Sequence, residues 1–580
     1  MTPFSNNATI CSYPVFGAVN PLPAGESVAH LDQLCEQANP KQNIELPTAV
    51  GFCMYIRRPV LNKIGLFDVE TFGRGYGEEN DFCARAIKAG YHNILALDTF
   101  VAHAGGVSFA AEQSALQQNA GTALRQKHPE YDAWVADHIF HNPAQLYRAR
   151  IDLLRFSQSA LPLILCILHA HGGGTQKYVE DLANALYGEA NVLALQPDEL
   201  GAWTLSAPLK YERLSLHFAR NQQQDLLQLL QLLNISRIHY QHLLGLDATF
   251  RALPETLGVA YDFTAHDFYT LDENAHLNGA SITVNNKQVE KFSPFLSRAD
   301  RLFVPSQRSQ AILSTGYPQL NFIPVAHPDT IVDTLPEHDI PDITSRPIQV
   351  LIIGALNPEK GADILAAAVK HVKQHQLPIH FHLLGYTYHQ LTTNAQLSVY
   401  GRYEQGDLAA LIEQIDPHWI WFPAQTPETY SYTLSSAMAA GYPVLASDLG
   451  AFVERLSRYP FAKICPWDST VTDWCQVMLR RDYTAMDDSQ AIAKPFSQQD
   501  YLAPIPTPRP VTQELSIIDF AVFAKGARQW QYRFTVHDTK ILLLRSLVRL
   551  KKQPLLAKLL HRLPTGWQLR VKNWLLGANR

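Results

Sequence analysis

Two glycine-rich turns, each lying between an apolar run and an amphipathic one, hold the residue types needed to grip a phosphate or a sugar. The first, His171-Gly172-Gly173-Gly174-Thr175, follows LPLILCILHA. Glycines there let backbone N–H groups and a helix N-terminus approach an anionic or sugar ligand closely. A tight strand-to-helix turn needs glycine as well, and the run is neither GxGxxG nor a phosphate loop followed by Lys-Ser/Thr. The second turn, Gly354-Ala355-Leu356-Asn357-Pro358-Glu359-Lys360-Gly361, puts Lys360 at a helix start. It can meet a phosphate there as a point charge, or stand solvated beside the turn. Further on, PAQTPETYSYTLSSAMAAGYPVLASDLGAFVER holds Glu428 in a loop just before a helix of small residues (Ser435, Ser436, Ala437, Ala439, Ala440). A carboxylate at that point accepts hydrogen bonds from sugar or ribose hydroxyls, or caps the helix.

Other clusters carry less. Histidines pair at His169 and His171, His239 and His242, and His380 and His382. No Cys or acidic third ligand lies at a sensible spacing from them, which argues against zinc. On a strand, an i, i+2 pair merely shares a face. No Gly-x-Ser-x-Gly nucleophile elbow occurs.

These groups need elements to carry them. From Leu161 the chain alternates strand-like and helical patterns, the sign of a doubly wound parallel sheet. LPLILCILHA, RIHYQHL, AYDFTAHD and RLFVPSQ read as strands and TQKYVEDLANALYG as a helix. The Pro/Asp-rich stretch 327–347 separates a second such run. In it IQVLIIGAL, IHFHLLGYT, HWIWFPAQ and PVLASDL read as strands and GADILAAAVKHVKQH as a helix. Two doubly wound units predict ligands in a cleft at the C-terminal strand ends. Residues 1–150 form a block of their own, in which 47–58 and 92–102 read as strands and 79–89 and 143–158 as helices. Residues 484–512 are rich in Pro and polar residues and read as linker.

With these motifs in order, residues 161–480 resemble a family 4 retaining glycosyltransferase of GT-B fold. The resemblance rests on HAHGGGT, the His266-Asp267 pair in AYDFTAHDFY, VPSQ at 304–307, GALNPEKG, GRYEQ at 401–405 and PETYSYTLS. It implies that the C-terminal unit binds a nucleotide sugar and the N-terminal unit the acceptor. Lys360 then matches the lysine that grips the diphosphate and Glu428 the first carboxylate of a Glu-x7-Glu pair. His266 is expected beside acceptor and sugar, with Gly173 and Gly174 at the donor. Two positions depart from the family pattern. Ala355 stands where many members carry an arginine, and Ser436 where the second carboxylate belongs; Arg402 is a candidate substitute cation.

Residues 51–109 resemble something else, the acceptor half of an inverting family 2 glycosyltransferase of GT-A fold. In that family an acidic pair before a helix supplies the general base. It maps to Glu78-Glu79, with Glu79 in the base position, and His103 matches a histidine that often joins the metal site. The Asp-x-Asp that holds Mg2+ or Mn2+ there occurs nowhere in this sequence. The first block is therefore expected to be a remnant or a truncated domain, with a divalent metal only if a missing donor half exists.

Composition bounds the rest. At about 150 residues per domain, 580 residues imply three to four domains. With 47% hydrophobic and 17% charged residues, wholesale disorder and coiled coil are excluded. A net charge of -5 argues against a general nucleic-acid binder. Seven scattered cysteines without a CxxC fit free thiols in a reducing cytosol. No signal peptide is visible, and the longest apolar stretch, Leu161 to Leu168, falls far short of the roughly 20 residues that span a bilayer. Ten Lys and Arg but no Asp or Glu follow Asp538. Their mixture with Leu in 539–563 suggests contact with an anionic membrane surface.

The expected fold is thus α/β, a GT-B pair of Rossmann-like domains (160–335 and 345–483). A partial GT-A domain (1–150) precedes it, and a linker (484–512) and basic amphipathic tail (513–580) follow. The expected function is transfer of a sugar from a nucleotide sugar to a glycan or lipid-linked acceptor in surface polysaccharide synthesis, with no metal in the GT-B part. Two rivals remain. An NAD-type oxidoreductase would use the same doubly wound units, though GxGxxG is absent. A pseudo-transferase would bind glycan or a partner transferase.

Overall fold

The computed structural model describes residues 1–508 except 74–76, 105–112, 171, 198–201, 210–213, 274–278, 280–283, 330–346, 390 and 482–490. The basic tail and His171 therefore lie outside the described residues. The chain divides into two compact units: the first contains Met1–Leu165 and Tyr187–Ser236, the second Cys166–Leu186 and Arg237–Ile505.

In the first unit, the strand Asn93–Phe100 pairs in parallel with Thr2–Phe4 and antiparallel with Asn43–Leu46. The helix Glu78–Lys88 starts after Gly77, and Gln145–Gln158 forms a further helix. Residues 47–57, read as strand from their apolar run, are loop; the strand ends at Leu46. Pro47 and Pro59 remove ladder donors at either end, and the loop's polar groups find other partners. Thr2 Oγ1 donates to Cys53 O (2.9 Å), Tyr55 N to Met1 O (2.9 Å) and Ala49 N to Cys83 Sγ (3.3 Å).

A second departure concerns Asn191–Pro197, Trp203–Ser206 and Ser215–Phe218, which form an antiparallel ladder rather than continuing a strictly parallel alternation. Only residues 198–202 and 207–214 connect these strands. A parallel crossover needs a dozen residues or more, so connections this short reverse the chain.

The second unit carries four parallel strands in the order Phe322–Pro324, Arg301–Val304, Tyr261–Thr264 and Arg237–Tyr240. It also carries an all-parallel six-stranded sheet, ordered Leu397–Gly401, Ile379–Thr387, Ile348–Leu356, Trp419–Phe422, Val444–Ser447 and Ala462–Cys465. Buried residues alternate along its central strand. Val350 and Ile352 share one core with Trp419, Trp421 and Trp474; Leu351 and Ile353 share the other with Ile420 and Phe422. Both faces are covered, which is why these strands read as near-continuous apolar runs.

The chain builds this sheet outward from Ile348–Leu356 in one direction, then returns to its other side with Trp419–Phe422. Strand order therefore reverses between these two strands, and the loops leaving their C-terminal ends open a crevice. Those loops carry Lys360 and Glu428.

Residues 491–505, within the stretch read as linker, are part of the second unit and pack on its other elements. Ala326 N donates to Lys494 O (2.8 Å), and Ala493 N to the buried Glu454 (2.5 Å). In the helix Gln498–Leu502, the Tyr501 hydroxyl meets His239 Nδ1 at 2.8 Å, and Arg301 donates to Tyr501 O (2.8 Å) while forking onto Asp262. Among the described residues, no helix is long and apolar enough to cross a membrane. All seven cysteines are free thiols.

Candidate active site

Lys360 closes a single turn of 3-10 helix, Pro358–Lys360, whose first N–H groups are capped by Asn357: its Oδ1 accepts from Lys360 N at 2.9 Å. Gly361 follows at φ 82°, and a Cβ there would lie 2.2 Å from Pro423 O. Only glycine lets the lysine turn approach the 423–431 loop so closely. Gln425 N adds a bond to Glu359 O (2.7 Å) across the same contact. The outcome is an ion pair, Lys360 Nζ to Glu428 Oε1 at 3.3 Å, with the lysine half-exposed and the glutamate largely covered. Glu428's charge is the main cause that raises the Lys360 pKa. The lysine is therefore an ammonium at any working pH.

Glu428 does not cap the helix that follows. Ser431 does, accepting from Leu434 N at 3.3 Å. The carboxylate is left to face the crevice, and its backbone is fixed from below. Gly450, at φ 56°, brings Ala451 N to within 2.7 Å of Glu428 O, and a Cβ on Gly450 would lie 2.2 Å from that oxygen. Thr429 Oγ1 donates to His266 O (2.6 Å), and Arg455 donates to the carbonyls of Tyr430 and Ser431 while stacking 3.9 Å over the Tyr430 ring. Asp329 accepts from the Tyr430 and Ser435 hydroxyls.

Around this pair lies a cavity of about 410 Å3. Ile352, Trp421 and Phe422 supply apolar wall; Gly173, Gly174, Ala355, Tyr403, Tyr432 and Thr433 also line it. Of the residues singled out from sequence, Gly173, Gly174, Lys360 and Glu428 thus meet in one cavity. Arg402, Ser436 and His266 are not among its described lining residues. Arg402 lies over the Tyr386 ring at 5.1 Å. Ser436 bonds back to Tyr432 O (3.3 Å) within its own helix, so its hydroxyl has a local partner.

His266 is packed among rings, 4.7 Å from Tyr178 and 5.3 Å from His327, and its Nε2 donates to Gln241 Oε1 (2.9 Å). Burial, then the neighbouring His242, pushes its pKa down to about 3, so the ring is neutral near pH 7. Next to it, His242 Nδ1 accepts from Leu244 N (2.9 Å). Its Nε2 must then carry the hydrogen and donate to Asp267 (2.9 Å).

Glu79 lies in the first unit, in the first turn of Glu78–Lys88, where burial raises its pKa. His103 donates from Nδ1 to Asn7 O (2.6 Å) and stacks on Phe52. Among the described residues, no group of three His, Cys, Asp or Glu is arranged to hold a metal ion.

Sequence reasoning missed Lys177, the other lysine of the cavity wall, and Tyr432. The signal was present: Lys177 lies one turn into the helix that Gly173 and Gly174 begin.

The lysine and the glutamate of the crevice fall inside one recognisable segment. Residues 347–460 match the family described as glycosyl transferases, group 1. A search among curated proteins found no match. Among solved structures, the chain is similar to HepE of Anabaena in complex with UDP and glucose, at 12% identity and a TM-score of 0.38 over 55% of this chain and 89% of that one. It is also similar to the sucrose-phosphate synthase of Thermosynechococcus elongatus (15% identity, TM-score 0.38, 64% and 98% covered). A third is the lipopolysaccharide outer core galactosyltransferase WaaB in its apo form (12%, 0.37, 63% and 99%).

Proposed function

We propose that this protein is a retaining glycosyltransferase that moves a sugar from a nucleotide sugar to a glycan or lipid-linked acceptor in surface polysaccharide synthesis. The observation that carries the reading is the Lys360–Glu428 pair, 3.3 Å apart in the cavity at the sheet's switch point and inside the segment matched to glycosyl transferases. Lys360 would face the diphosphate, and Glu428 would accept hydrogen bonds from donor hydroxyls. In the reaction the bond from the sugar's anomeric carbon to the phosphate oxygen breaks. The acceptor oxygen bonds to that carbon, and its proton leaves with the diphosphate. An ammonium already in place stabilises the charge that develops on the leaving group without reorganising during the step.

A second reading, a weakened transferase that binds glycan or a partner, is favoured by one observation: Ser436 hydrogen-bonds within its own helix and does not line the cavity. Ligand-detected binding of nucleoside diphosphates, NAD and free glycans separates the readings. Diphosphates alone support the transferase, glycans alone the binding protein, and NAD an oxidoreductase.

The first block is proposed to be the acceptor half of a family 2-like domain without metal-dependent turnover. A Mn2+ requirement abolished by Glu79→Gln would overturn that. The tail, in our reading, contacts anionic membrane at about 1 kcal/mol per basic residue near the surface. Equal pelleting with anionic vesicles after removal of residues 539–580 would refute it.

A further inference from the structure

The cavity's charged lining among the described residues consists of Lys177, Lys360 and Glu428. Each lysine is held by a carboxylate: Lys360 by Glu428, and Lys177 by Asp181, one turn along the helix Gly174–Ala185. The two pairs differ in depth. Asp181 is buried, and its second oxygen, Oδ2, makes no hydrogen bond; the Tyr432 hydroxyl, also buried, is likewise unbonded. Tyr432 lines the same cavity, and its ring lies 5.9 Å from Lys177 Nζ. The two unbonded groups already influence one another. Burial and then the Asp181 charge raise the Tyr432 pKa; burial likewise raises that of Asp181, a rise that Lys177 and, more weakly, Tyr432 oppose.

We propose that Lys177 is a second anion-binding group of this cavity: it exchanges Asp181 for a phosphate oxygen of the ligand, and the Tyr432 hydroxyl then donates to Asp181. The inference rests on the donor reading given above and adds to it the source of the second positive charge. Ala355, where the family 4 pattern carries an arginine, contributes only a methyl group to the lining. Lys177 is the exposed partner (39%) and can leave, whereas the carboxylate it leaves is buried and needs another partner, which the Tyr432 hydroxyl supplies. A lysine suits this role because its ammonium swings on a flexible stem. Asp181 is then a positioning residue that parks the lysine, and Tyr432 is the donor that keeps the carboxylate satisfied once the lysine leaves.

Calorimetry with inorganic pyrophosphate, UDP and uridine tests this on the full chain. Lys177→Gln is expected to weaken pyrophosphate and UDP roughly tenfold or more and to leave uridine unchanged, and Lys177→Arg to retain binding. Asp181→Asn, which releases the lysine, should tighten pyrophosphate severalfold. If Lys360→Ala weakens the anions while Lys177→Gln binds them like the wild type, the Lys177 assignment falls and the cavity reading stands. If the wild type binds neither pyrophosphate nor UDP, both fall. A loss of uridine equal to that of UDP in Lys177→Gln would mark a merely structural role and also overturn the assignment.

Discussion

Gly450 is the residue whose replacement should most cleanly separate site geometry from stability. It lies at φ 56°, and the Cβ of an alanine would stand 2.2 Å from Glu428 O and 2.6 Å from Glu428 N, both backbone atoms that no rotamer change can move aside. Non-bonded atoms settle near 3.5 Å, so the Glu428 loop would have to retreat by about 1 Å. Misplacement on that scale costs on the order of 100-fold in rate when the displaced group positions substrate. The positive φ adds about 1–3 kcal/mol of backbone strain. Gly258→Ala is a control for positive φ alone: φ is 66° with ψ 35°, against ψ -138° at Gly450, and nothing lies within 4 Å of the added Cβ. It should lower the melting temperature without touching the cavity. The assay compares thermal melts and nucleoside-diphosphate release for both variants. If Gly450→Ala melts lower but turns over like Gly258→Ala, the claim that Gly450 sets Glu428 is wrong.

Two further perturbations address what holds the second unit together. Tyr501→Phe removes the hydroxyl partner of the fully buried His239 Nδ1 and should destabilise by about 1–3 kcal/mol in urea unfolding, since a buried ring nitrogen is left unpaired; an unchanged midpoint would show that residues 491–505 are not anchored there. His239 and His266 both have pKa values lowered to about 3, mainly by burial. The unfolded chain therefore binds more protons than the folded one between about pH 6.5 and 3. Their contribution is fully present above pH 6.5 and is lost as pH falls through that window, by roughly 1.4 kcal/mol per pH unit for each ring. His239→Gln should flatten the wild-type slope over that window, and parallel slopes would contradict the assignment.

How much was legible depended on whether local pattern and tertiary context agreed. Ile348–Leu356, Ile379–Thr387 and Trp419–Phe422 fall within the runs read as strands, because strands covered on both faces are apolar throughout. The loop 47–57 has the same apolar character without the pairing: only residues 47–49 are buried and Tyr55 is 69% exposed, so an apolar run marks neither a strand nor a core segment by itself. The ladder Asn191–Phe218 was missed because connection length, not periodicity, decides between crossover and hairpin. At the site, glycines and isolated charges stood out. Lys177 did not, since a lysine at i and an aspartate at i+4 on a helix read as an ordinary surface pair until the cavity wall is seen. The packing of 491–505 rests on contacts with residues far away in sequence, such as Arg301 and Glu454, which no local pattern records.

The most direct test of the Lys360–Glu428 clamp is nucleoside-diphosphate release from a panel of nucleotide sugars, with and without lipid-linked acceptor, by the wild type, Lys360→Ala, Glu428→Gln and Ser436→Glu. A charge-assisted contact to phosphate is worth roughly 1.5–3 kcal/mol, so Lys360→Ala should lower release from about tenfold to over a hundredfold. Glu428→Gln, which keeps shape but not charge, should also lower it. Ser436→Glu should leave turnover close to the wild type, because Ser436 is not among the cavity's described lining residues and bonds back to Tyr432 O within its own helix. Release that is equal in the wild type and in both clamp variants, or absent with every donor, would contradict the account.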